Sequence, residues 1–314
     1  MKKNVYSKLV LIQGSFMLKT MGFLNKLLTR FFDVSKRLFE LPLETKEGYI
    51  VKNNVGYTPI GQERLDKLDL IDYKEAFNFP AAVKTTSDDQ LPSTIKENMQ
   101  AAEKFTRTCH DVGGQVLRSL AAALCLDSEY FVNAHSYDKK SSSIFRLLHY
   151  PSVPDSVNSA TTIRAGSHSD YGTITLLFQQ LPSNSCEEMA SGLQVLIKGS
   201  WHDVPAKKGC IVVNIADLLS FWTEGRLCSA VHRVILPEDD LKSLSRYTIA
   251  FFIHPNDEYI ILPTPSPLPA PFPAKKDNDG NLVASFGPSP FTYNQNGKEY
   301  LWRRLNSTYT SATY

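Results

Sequence analysis

Hydrophobic residues in the first 135 positions recur at the spacing of a helix face. Those between positions 16 and 41 predict one helix, which ends before Pro42 because the residue preceding a proline avoids the α conformation. A longer helix is predicted over 92–126. Between them, Gly56-Tyr57-Thr58-Pro59 indicates a turn and 75–79 an extended segment. Helices are therefore expected to dominate this part of the chain.

After position 135 the pattern changes to short β-branched and aromatic runs separated by Gly, Pro, Ser or Asp. These runs are 143–150, 173–178, 193–197, 210–215, 230–236 and 247–253. Such a series is typical of a β-sandwich or jelly roll and not of βαβ units. Residues 298–308 return to helical spacing. The fold class predicted is mainly β with flanking helices.

The pattern also predicts how the chain is organised. We expect a helical region over 1–135, which packs on a barrel core made of 136–262 and 274–314, as one structural unit. Between 263 and 273 a proline stands at every second position, which excludes a central strand and favours polyproline II. We interpret this segment as a strap over the barrel, and a ligand for an SH3-type partner is the alternative.

Composition excludes several classes of partner. Hydrophobic residues make up 42% of the chain and the formal net charge is +2, with no basic stripe for nucleic acid. No apolar run approaches the roughly 20 residues of a membrane-spanning helix. The five cysteines form no C-x-x-C pair and are interpreted as buried, reduced thiols of a cytoplasmic protein. Residues 1–32 are basic, so a mitochondrial presequence is the less favoured alternative to a basic helix face.

Candidate chemistry centres on the sequence His168-Ser169-Asp170. Alternate residues of an extended segment point the same way, so the imidazole and the carboxylate can share one metal ion. His232, in another strand-like run, would be the third ligand. Two imidazoles and one carboxylate leave three positions open, as in non-haem iron(II) oxygenases. The other histidines, His110, His135, His149, His202 and His254, are assigned no role.

A predicted anion site follows His232 along the chain. Arg246 and Thr248 share one face of the strand-like run 246–252, because successive side chains alternate. A guanidinium binds a carboxylate through two parallel hydrogen bonds, and the hydroxyl can add a third. A buried arginine without an acidic neighbour is costly unless a partner arrives. We expect that partner to be the far carboxylate of a dicarboxylic cosubstrate.

The motifs together resemble those of the iron(II)- and 2-oxoglutarate-dependent dioxygenases of the isopenicillin N synthase-like superfamily. The resemblance covers roughly residues 20–310, and the long polar segment before His168 is similar to fungal-type members. The matching stretches are Phe39-Glu40-Leu41-Pro42, Tyr57-Thr58-Pro59, Lys74-Glu75-Ala76-Phe77, His149-Tyr150-Pro151, 168–175, 213–223, 229–234 and 246–255.

The resemblance implies a double-stranded β-helix (jelly roll) that binds Fe(II), 2-oxoglutarate and O2, with ascorbate as a stimulant to be tested. It implies that Tyr150 orients the cosubstrate, and that Thr248 replaces the family's usual serine while keeping the hydroxyl. The reaction would hydroxylate or desaturate a small organic substrate, with release of succinate and carbon dioxide. Candidates for lining the substrate pocket are Tyr57, Phe79, Phe252 and Tyr300.

Three functional hypotheses remain open at this point. The first is the 2-oxoglutarate-dependent oxygenase, acting as a monomer without nucleic-acid or membrane partners. The second is a non-haem iron oxidase in which Arg246 binds the substrate's own carboxylate. The third is a catalytically inactive barrel, because residues 1–16 lack the family's Ile-Pro-Val-Ile-Asp-like first strand. That departure predicts an unpaired sheet edge and an exposed core.

Overall fold

A computed structural model of the chain describes residues 14–19, 22–63, 71–81, 91–154, 156–157, 162–181, 187–236, 245–278, 280, 282–283 and 292–308. Within these ranges six α-helices and seventeen strands are defined. The helices are α1 (Gly22–Phe39), α2 (Leu43–Glu47), α3 (Ser93–Lys96), α4 (Met99–Ala123), α5 (Asp217–Trp222) and α6 (Gly297–Thr308).

The strands are short, and most carry the β-branched and aromatic residues that favour extended backbone. In chain order they are β1 (Ser15–Lys19), β2 (Gly56–Thr58), β3 (Ile71–Asp72), β4 (Glu75–Pro80), β5 (Ile144–Tyr150), β6 (Thr162–Ile163), β7 (Ala165–His168), β8 (Ile174–Gln179), β9 (Glu188–Met189), β10 (Leu193–Ile197), β11 (Ser200–Asp203), β12 (Ala206–Lys207), β13 (Cys210–Ile215), β14 (His232–Val234), β15 (Arg246–Ile253), β16 (Lys275–Lys276) and β17 (Leu282–Val283).

Two antiparallel sheets carry the architecture. The larger has the strand order β1-β13-β8-β15-β5-β4-β2, and the smaller has the order β11-β10-β14-β7. Side chains from both sheets share one hydrophobic cluster, which includes Leu148 and Ala250 of the large sheet and Val195 and Val234 of the small one. The two sheets therefore face each other across that cluster.

The helices α1 and α4 cover the other face of the large sheet. Phe31 of α1 and Phe105 of α4 are fully buried, and their ring centroids lie 5.0 Å apart. Both rings contact Phe145 of β5 at 5.6 and 5.1 Å. This aromatic packing fixes the helical layer against β5 and leaves the opposite face of the sheet for the cavities described below.

Most predicted elements are confirmed, including the long helix over 92–126, the extended segment 75–79, the helix at 298–308 and all six strand-like runs. Two are wrong. Residues 15–19 form β1 instead of the start of a helix, and Gly56–Thr58 is β2 instead of a turn. In both cases pairing with a neighbouring strand, β13 or β4, decides the backbone state.

β1 pairs with β13 in antiparallel register from Ser15 opposite Asn214 to Lys19 opposite Cys210, and β1 is in turn the outermost described strand of the large sheet. The expectation of an unpaired sheet edge therefore stays a prediction. Phe16 is buried in the main core. Residues 1–13 lie outside the described ranges.

The proline-rich segment 263–273 packs against the loop that follows α5. The backbone N–H of Thr264 donates to the carbonyl oxygen of Trp222, and that of Phe272 donates to Glu224. Arg226 Nε donates to the carbonyl oxygen of Leu268 at 2.9 Å. These bonds support the strap interpretation, while the division of the chain at 135, 262 and 274 stays a prediction.

The cysteines differ in part from the expectation. Cys109 is buried, but Cys125 and Cys228 are exposed and Cys210 is half-buried, and all four are free thiols; Cys186 lies outside the described residues. Among the helices that the structure describes, none combines the length and apolar character needed to cross a membrane.

Candidate functional site: a metal centre between two cavities

Three side chains converge where β7 and β14 pair. His168 and His232 are register partners on these antiparallel strands, and their ring centroids lie 4.4 Å apart. Asp170 Oδ1 lies 3.8 Å from His232 Nε2. One donor atom from each of the three residues lies within 4.8 Å of the other two. The structure thus brings together the three residues that the sequence predicts as metal ligands.

Backbone contacts determine which imidazole nitrogen can bind a metal. His168 Nδ1 lies 2.7 Å from the carbonyl oxygen of Gly166, and His232 Nδ1 lies 3.0 Å from that of Ala230. A carbonyl oxygen only accepts, so each Nδ1 carries the proton and each Nε2 keeps a lone pair. Metal-binding histidines are commonly oriented in this way. Both rings are therefore presented as ligands through Nε2.

Burial keeps His168 in the neutral form that a metal requires. Desolvation is the largest cause that lowers its pKa, and the neighbouring His232 lowers it further, to about 3. The carboxylate of Asp170 acts in the opposite direction but is outweighed. At neutral pH the His168 imidazole is uncharged and needs to lose no proton before binding a cation.

The metal-site carboxylate is contacted by a short chain of hydrogen bonds that begins on β1. Ser15 Oγ donates to Asn214 Oδ1 at 2.8 Å, which fixes the orientation of the Asn214 amide. Asn214 Nδ2 then approaches Asp170 Oδ2 at 3.4 Å. All three side chains are buried. The N-terminal strand therefore supports the metal centre, a role that no sequence motif indicates.

The loop 169–173 is fastened to the start of α5. The backbone N–H of Asp217 donates to the Asp170 carbonyl at 2.9 Å, and that of Leu218 donates to Gly172 at 3.0 Å. A Cβ at position 172 would lie 2.6 Å from the carbonyl oxygen of Ile253, so only glycine allows this close approach. The Asp217 side chain accepts from Ser169 Oγ at 2.9 Å. Asp170 is thus held in place by hydrogen bonds from α5 to its own carbonyl and to the neighbouring residues of the loop.

The first of two cavities, here the inner cavity, extends from the metal centre between the sheets. The empty space in it, counted together with open solvent, is about 670 Å³. The three metal-site residues line it, together with the predicted anion-binding residues Arg246 and Thr248 and with Tyr150. Alternation along β15 is confirmed, because Tyr247 and Ile249 lie in the core on the opposite face.

Positive charge accumulates at one end of the inner cavity. Arg246 lies opposite Tyr150 in the β15–β5 register, with its guanidinium carbon 5.6 Å from the ring centroid. Burial lowers the pKa of Arg246. Arg164, fully buried nearby, has its pKa lowered to about 10 by burial and then by the charge of Arg246. Within the described part of the chain neither guanidinium forms an ion pair with a carboxylate, and two such desolvated groups favour an anionic ligand here.

A network of buried charges forms another wall. Lys74 Nζ donates to Asp72 Oδ2 at 2.6 Å and lies 3.1 Å from Glu63 Oε2, to which Arg146 also donates at 2.8 Å. Burial alone would lower the pKa of Lys74, but the two carboxylates outweigh it and raise that pKa. Gly166 N–H donates to Asp72 Oδ1 at 2.9 Å, so the network also holds β7.

The second cavity, here the outer cavity, is also lined by His168 and Asp170. Its empty space, counted together with open solvent, is about 610 Å³, and it also shares Arg146 and Phe252 with the inner cavity. The remaining walls come from distant parts of the chain. They are Asn54, Asn78, Ile144, Ser169, Tyr171, His254, Leu301 and Leu305.

Of the four residues predicted to line the substrate pocket, one lines a cavity. Phe252 lines both cavities, whereas Tyr57, Phe79 and Tyr300 are buried in the core with at most 2% of their surface exposed. Tyr57 instead donates to Glu75 Oε2 at 2.5 Å. The asparagines and the α6 leucines were missed because no local pattern marks residues that meet only after folding.

Comparison with family models matches two parts of this chain. Residues 141–255 match the model described as the 2OG-Fe(II) oxygenase superfamily. Residues 13–102 match the model described as the non-haem dioxygenase in morphine synthesis N-terminal region. The second match includes β1 but overlaps the segment 1–16 only from residue 13 onward, so the expectation that this segment lacks the family's first strand stays a prediction.

Alignments with similar proteins cover most of this chain and most of each relative. A Schizosaccharomyces pombe protein, UPF0676 protein C1494.01, is 31% identical, with 94% of this chain and 85% of the relative covered. The 2-oxoglutarate-dependent dioxygenase htyE of Aspergillus rugulosus is 31% identical, with 76% of each covered. The crystal structure of a full-length Neurospora crassa protein in complex with alpha-KG and thymine is similar at 27% identity and a TM-score of 0.75, with 95% of this chain and 88% of that chain covered.

Proposed function

The chain belongs to the 2OG-Fe(II) oxygenase superfamily, and from this membership we propose which residues bind each reactant. His168, Asp170 and His232 bind iron(II). Two neutral imidazoles and one carboxylate, with their donor atoms within 4.8 Å of one another, are the donor set that suits iron with three open positions. The protein is a 2-oxoglutarate-dependent oxidoreductase that uses Fe(II) and 2-oxoglutarate.

Arg246, Thr248 and Tyr150 bind 2-oxoglutarate in the inner cavity. The observation that carries this assignment is that the metal-site residues and Arg246 line the same cavity, with the guanidinium buried and not paired with a carboxylate on its own strand. The Arg246 guanidinium takes the far carboxylate through parallel hydrogen bonds, and the Thr248 hydroxyl adds another. Tyr150 faces Arg246 from β5 and limits how the cosubstrate turns.

We propose that the two facing sheets form the family's double-stranded β-helix, with the helical layer α1 and α4 packed on it. Three observations support this fold. Both sheets are antiparallel, their inner faces share one hydrophobic cluster, and structures of 2OG oxygenases align over most of the chain. The residues assigned to iron and the cosubstrate lie in one chain, so this proposal needs no second copy to complete the site, and a monomer stays the expectation.

The reaction consumes one molecule each of substrate, 2-oxoglutarate and O2. Iron supplies the activation of O2 when it is bound; one oxygen atom enters the substrate C–H bond as a hydroxyl group, and the other enters succinate as carbon dioxide leaves. The protein's own groups bind and orient the reactants and exclude water from them. Since the Neurospora protein was solved with thymine, pyrimidine bases are first candidates for the substrate.

The test is iron-dependent conversion of 2-oxoglutarate to succinate by the purified protein. We expect succinate to form with iron(II), O2 and 2-oxoglutarate, and formation to stop when a chelator removes the iron. Calorimetric titration should also show 2-oxoglutarate binding to the iron-loaded protein under nitrogen. No binding and no succinate would contradict the proposal, and iron binding without 2-oxoglutarate binding would favour the oxidase hypothesis.

A further inference from the structure

The outer cavity has one polar wall formed by two neighbouring strands. Asn78 of β4 and Arg146 of β5 are register partners, and both line the cavity. Asn54 lines it as well, from the turn of a two-residue hairpin closed by the Lys52–Val55 hydrogen bonds. Asn54 has φ of 63°, a left-handed conformation that asparagine tolerates better than most residues. The hairpin thus carries an amide to the wall.

Asn78 is held in one orientation, with one of its polar atoms unpaired. Its Nδ2 donates to Asn54 Oδ1 at 3.0 Å, so the two amides fix each other. Its Oδ1 is buried and has no hydrogen-bond partner among the residues that the structure describes. A buried acceptor without a donor is unfavourable, and a ligand that brings an N–H removes this cost.

Charge and shape narrow the ligand further. Arg146 puts a guanidinium beside Asn78, and guanidinium groups donate to carbonyl oxygens. Besides the metal-site Asp170, the described lining has no carboxylate that would attract a cation. The same cavity is also lined by apolar side chains, Phe252 of β15 and Leu301 and Leu305 of α6. The Asn78 acceptor and the Arg146 donor lie side by side, so together they match a ligand in which an N–H stands next to a C=O. The apolar lining residues suit a small ring.

We propose that the outer cavity binds a small cyclic amide or imide, uncharged or anionic, whose N–H donates to Asn78 Oδ1 and whose carbonyl accepts from Arg146. This inference rests on the proposed function, since His168 and Asp170 lie at the border of the two cavities and would present the metal to the ring. The residues assigned to the metal and the cosubstrate do not determine the substrate class. The polar wall of Asn78 and Arg146 supplies this assignment.

The first experiment compares ring compounds that keep the N–H with analogues in which it is methylated, and adds one cyclic amine. Thymine and glutarimide, their N-methylated analogues and cyclohexylamine are titrated calorimetrically into the iron-loaded protein with 2-oxoglutarate under nitrogen, and tested in air for stimulated succinate formation. We expect the N–H compounds to bind about 5- to 150-fold more tightly than the methylated ones, the range for one unsatisfied buried polar group. Cyclohexylamine should bind more weakly than either.

The second experiment changes the wall itself. Asn78→Leu removes the C=O and the NH2 of the side-chain amide at nearly constant volume. It should abolish the difference in affinity between the N–H compounds and their methylated analogues. Asn78→Asp keeps the acceptor and should keep the preference for N–H compounds. Asn133→Leu, at an exposed position, is the matched control and should behave as the unmodified protein does. Iron content and circular dichroism report whether each variant is folded.

The outcomes separate this inference from the proposed function. Absence of 2-oxoglutarate binding contradicts the proposed function, whereas equal affinity for parent and methylated rings contradicts only the substrate class. Tight binding of the amine, or no binding of any N–H compound, would also overturn the substrate class. If Asn78→Leu kept the full N–H preference, the assignment of that residue would be wrong.

Discussion

The inner and outer cavities meet at the same two metal-site residues but are constructed in different ways. The polar groups that we assign to cosubstrate binding lie on the paired strands β5 and β15. The outer cavity shares lining residues of these two strands and adds walls from the hairpin at Asn54, from β4 and from α6. Asn54 and Leu301 are more than 240 positions apart in the chain. Strand alternation places the first set, whereas only the whole fold assembles the second.

This difference suggests a division of roles. The groups assigned to the cosubstrate lie on β5 and β15, which are hydrogen-bonded to strands on both sides, so little movement is expected there. The outer cavity shares lining residues of β5 and β15 with the inner one but adds a turn, which carries Asn54, and a terminal helix, which carries Leu301 and Leu305; such segments tolerate change better than central strands. The two cavities should therefore respond differently to substitution: one should lose the reaction, the other should change which substrate is accepted.

The largest effect is expected from loss of a metal ligand. In His232→Ala the site keeps only His168 and Asp170, so iron affinity should fall by more than the roughly 10–100-fold cost of losing a supporting residue. Succinate formation should fall with it. His202→Ala, an exposed histidine on β11, is the control. Stoichiometric iron and a normal rate in His232→Ala would show that the ligand assignment is wrong.

A smaller loss, limited to the cosubstrate, is expected for Arg246→Met. Removing one partner of a buried charged pair costs about 2–5 kcal/mol, so the KM for 2-oxoglutarate should rise by roughly 30-fold or more. Iron content should not change, because Arg246 is not among the three residues whose donor atoms cluster. Arg118→Met, which removes only an exposed pair with Glu129, should leave this KM unaltered. An unchanged KM in Arg246→Met would place the cosubstrate elsewhere.

Prediction from the sequence was most successful where function depends on neighbouring positions. The spacing His168-x-Asp170 and Arg246-x-Thr248 reports which side chains share a strand face, and the structure places all four on the inner cavity. The strands themselves were found because β-branched runs between turn residues are distinctive. These features need no knowledge of distant contacts.

The failures share a physical cause, which is that pairing across long sequence distances overrides local preference. Residues 15–19, Ser-Phe-Met-Leu-Lys, fit a helix as well as a strand, and the exposed edge of β13 decides between them. Tyr57, an aromatic residue near a turn, was predicted to line a pocket but packs in the core beside Glu75. The amide wall of Asn54 and Asn78 was not foreseen for the same reason.

A change in α6 should affect the outer cavity alone. Arg304 donates to Asp217 and lies over the Tyr171 ring at 4.6 Å, so it fastens α6 beside the loop 169–173. Arg304→Met should loosen the wall that Leu301 and Leu305 provide and raise the KM for the ring substrate about tenfold, equivalent to ~1.4 kcal/mol of binding. Arg303→Met, at the exposed neighbouring position, is the matched control. An equal rise in the KM for 2-oxoglutarate would show that the two cavities do not respond independently to substitution.

The smallest effect should come from β1, the element farthest from the chemistry that still contacts it. Ser15→Ala removes the hydrogen bond that orients the Asn214 amide toward Asp170, so iron affinity should fall by about 2- to 10-fold, the range for one hydrogen bond. Ser119→Ala, on the exposed side of α4, should not change iron affinity.

Asn214→Ala should lower iron affinity more than Ser15→Ala does, because it removes the direct contact with Asp170. If Ser15 acts through Asn214, adding Ser15→Ala to Asn214→Ala should cause no further loss of iron affinity. Equal losses from Ser15→Ala in both backgrounds would mean that β1 supports the sheet but not the metal centre.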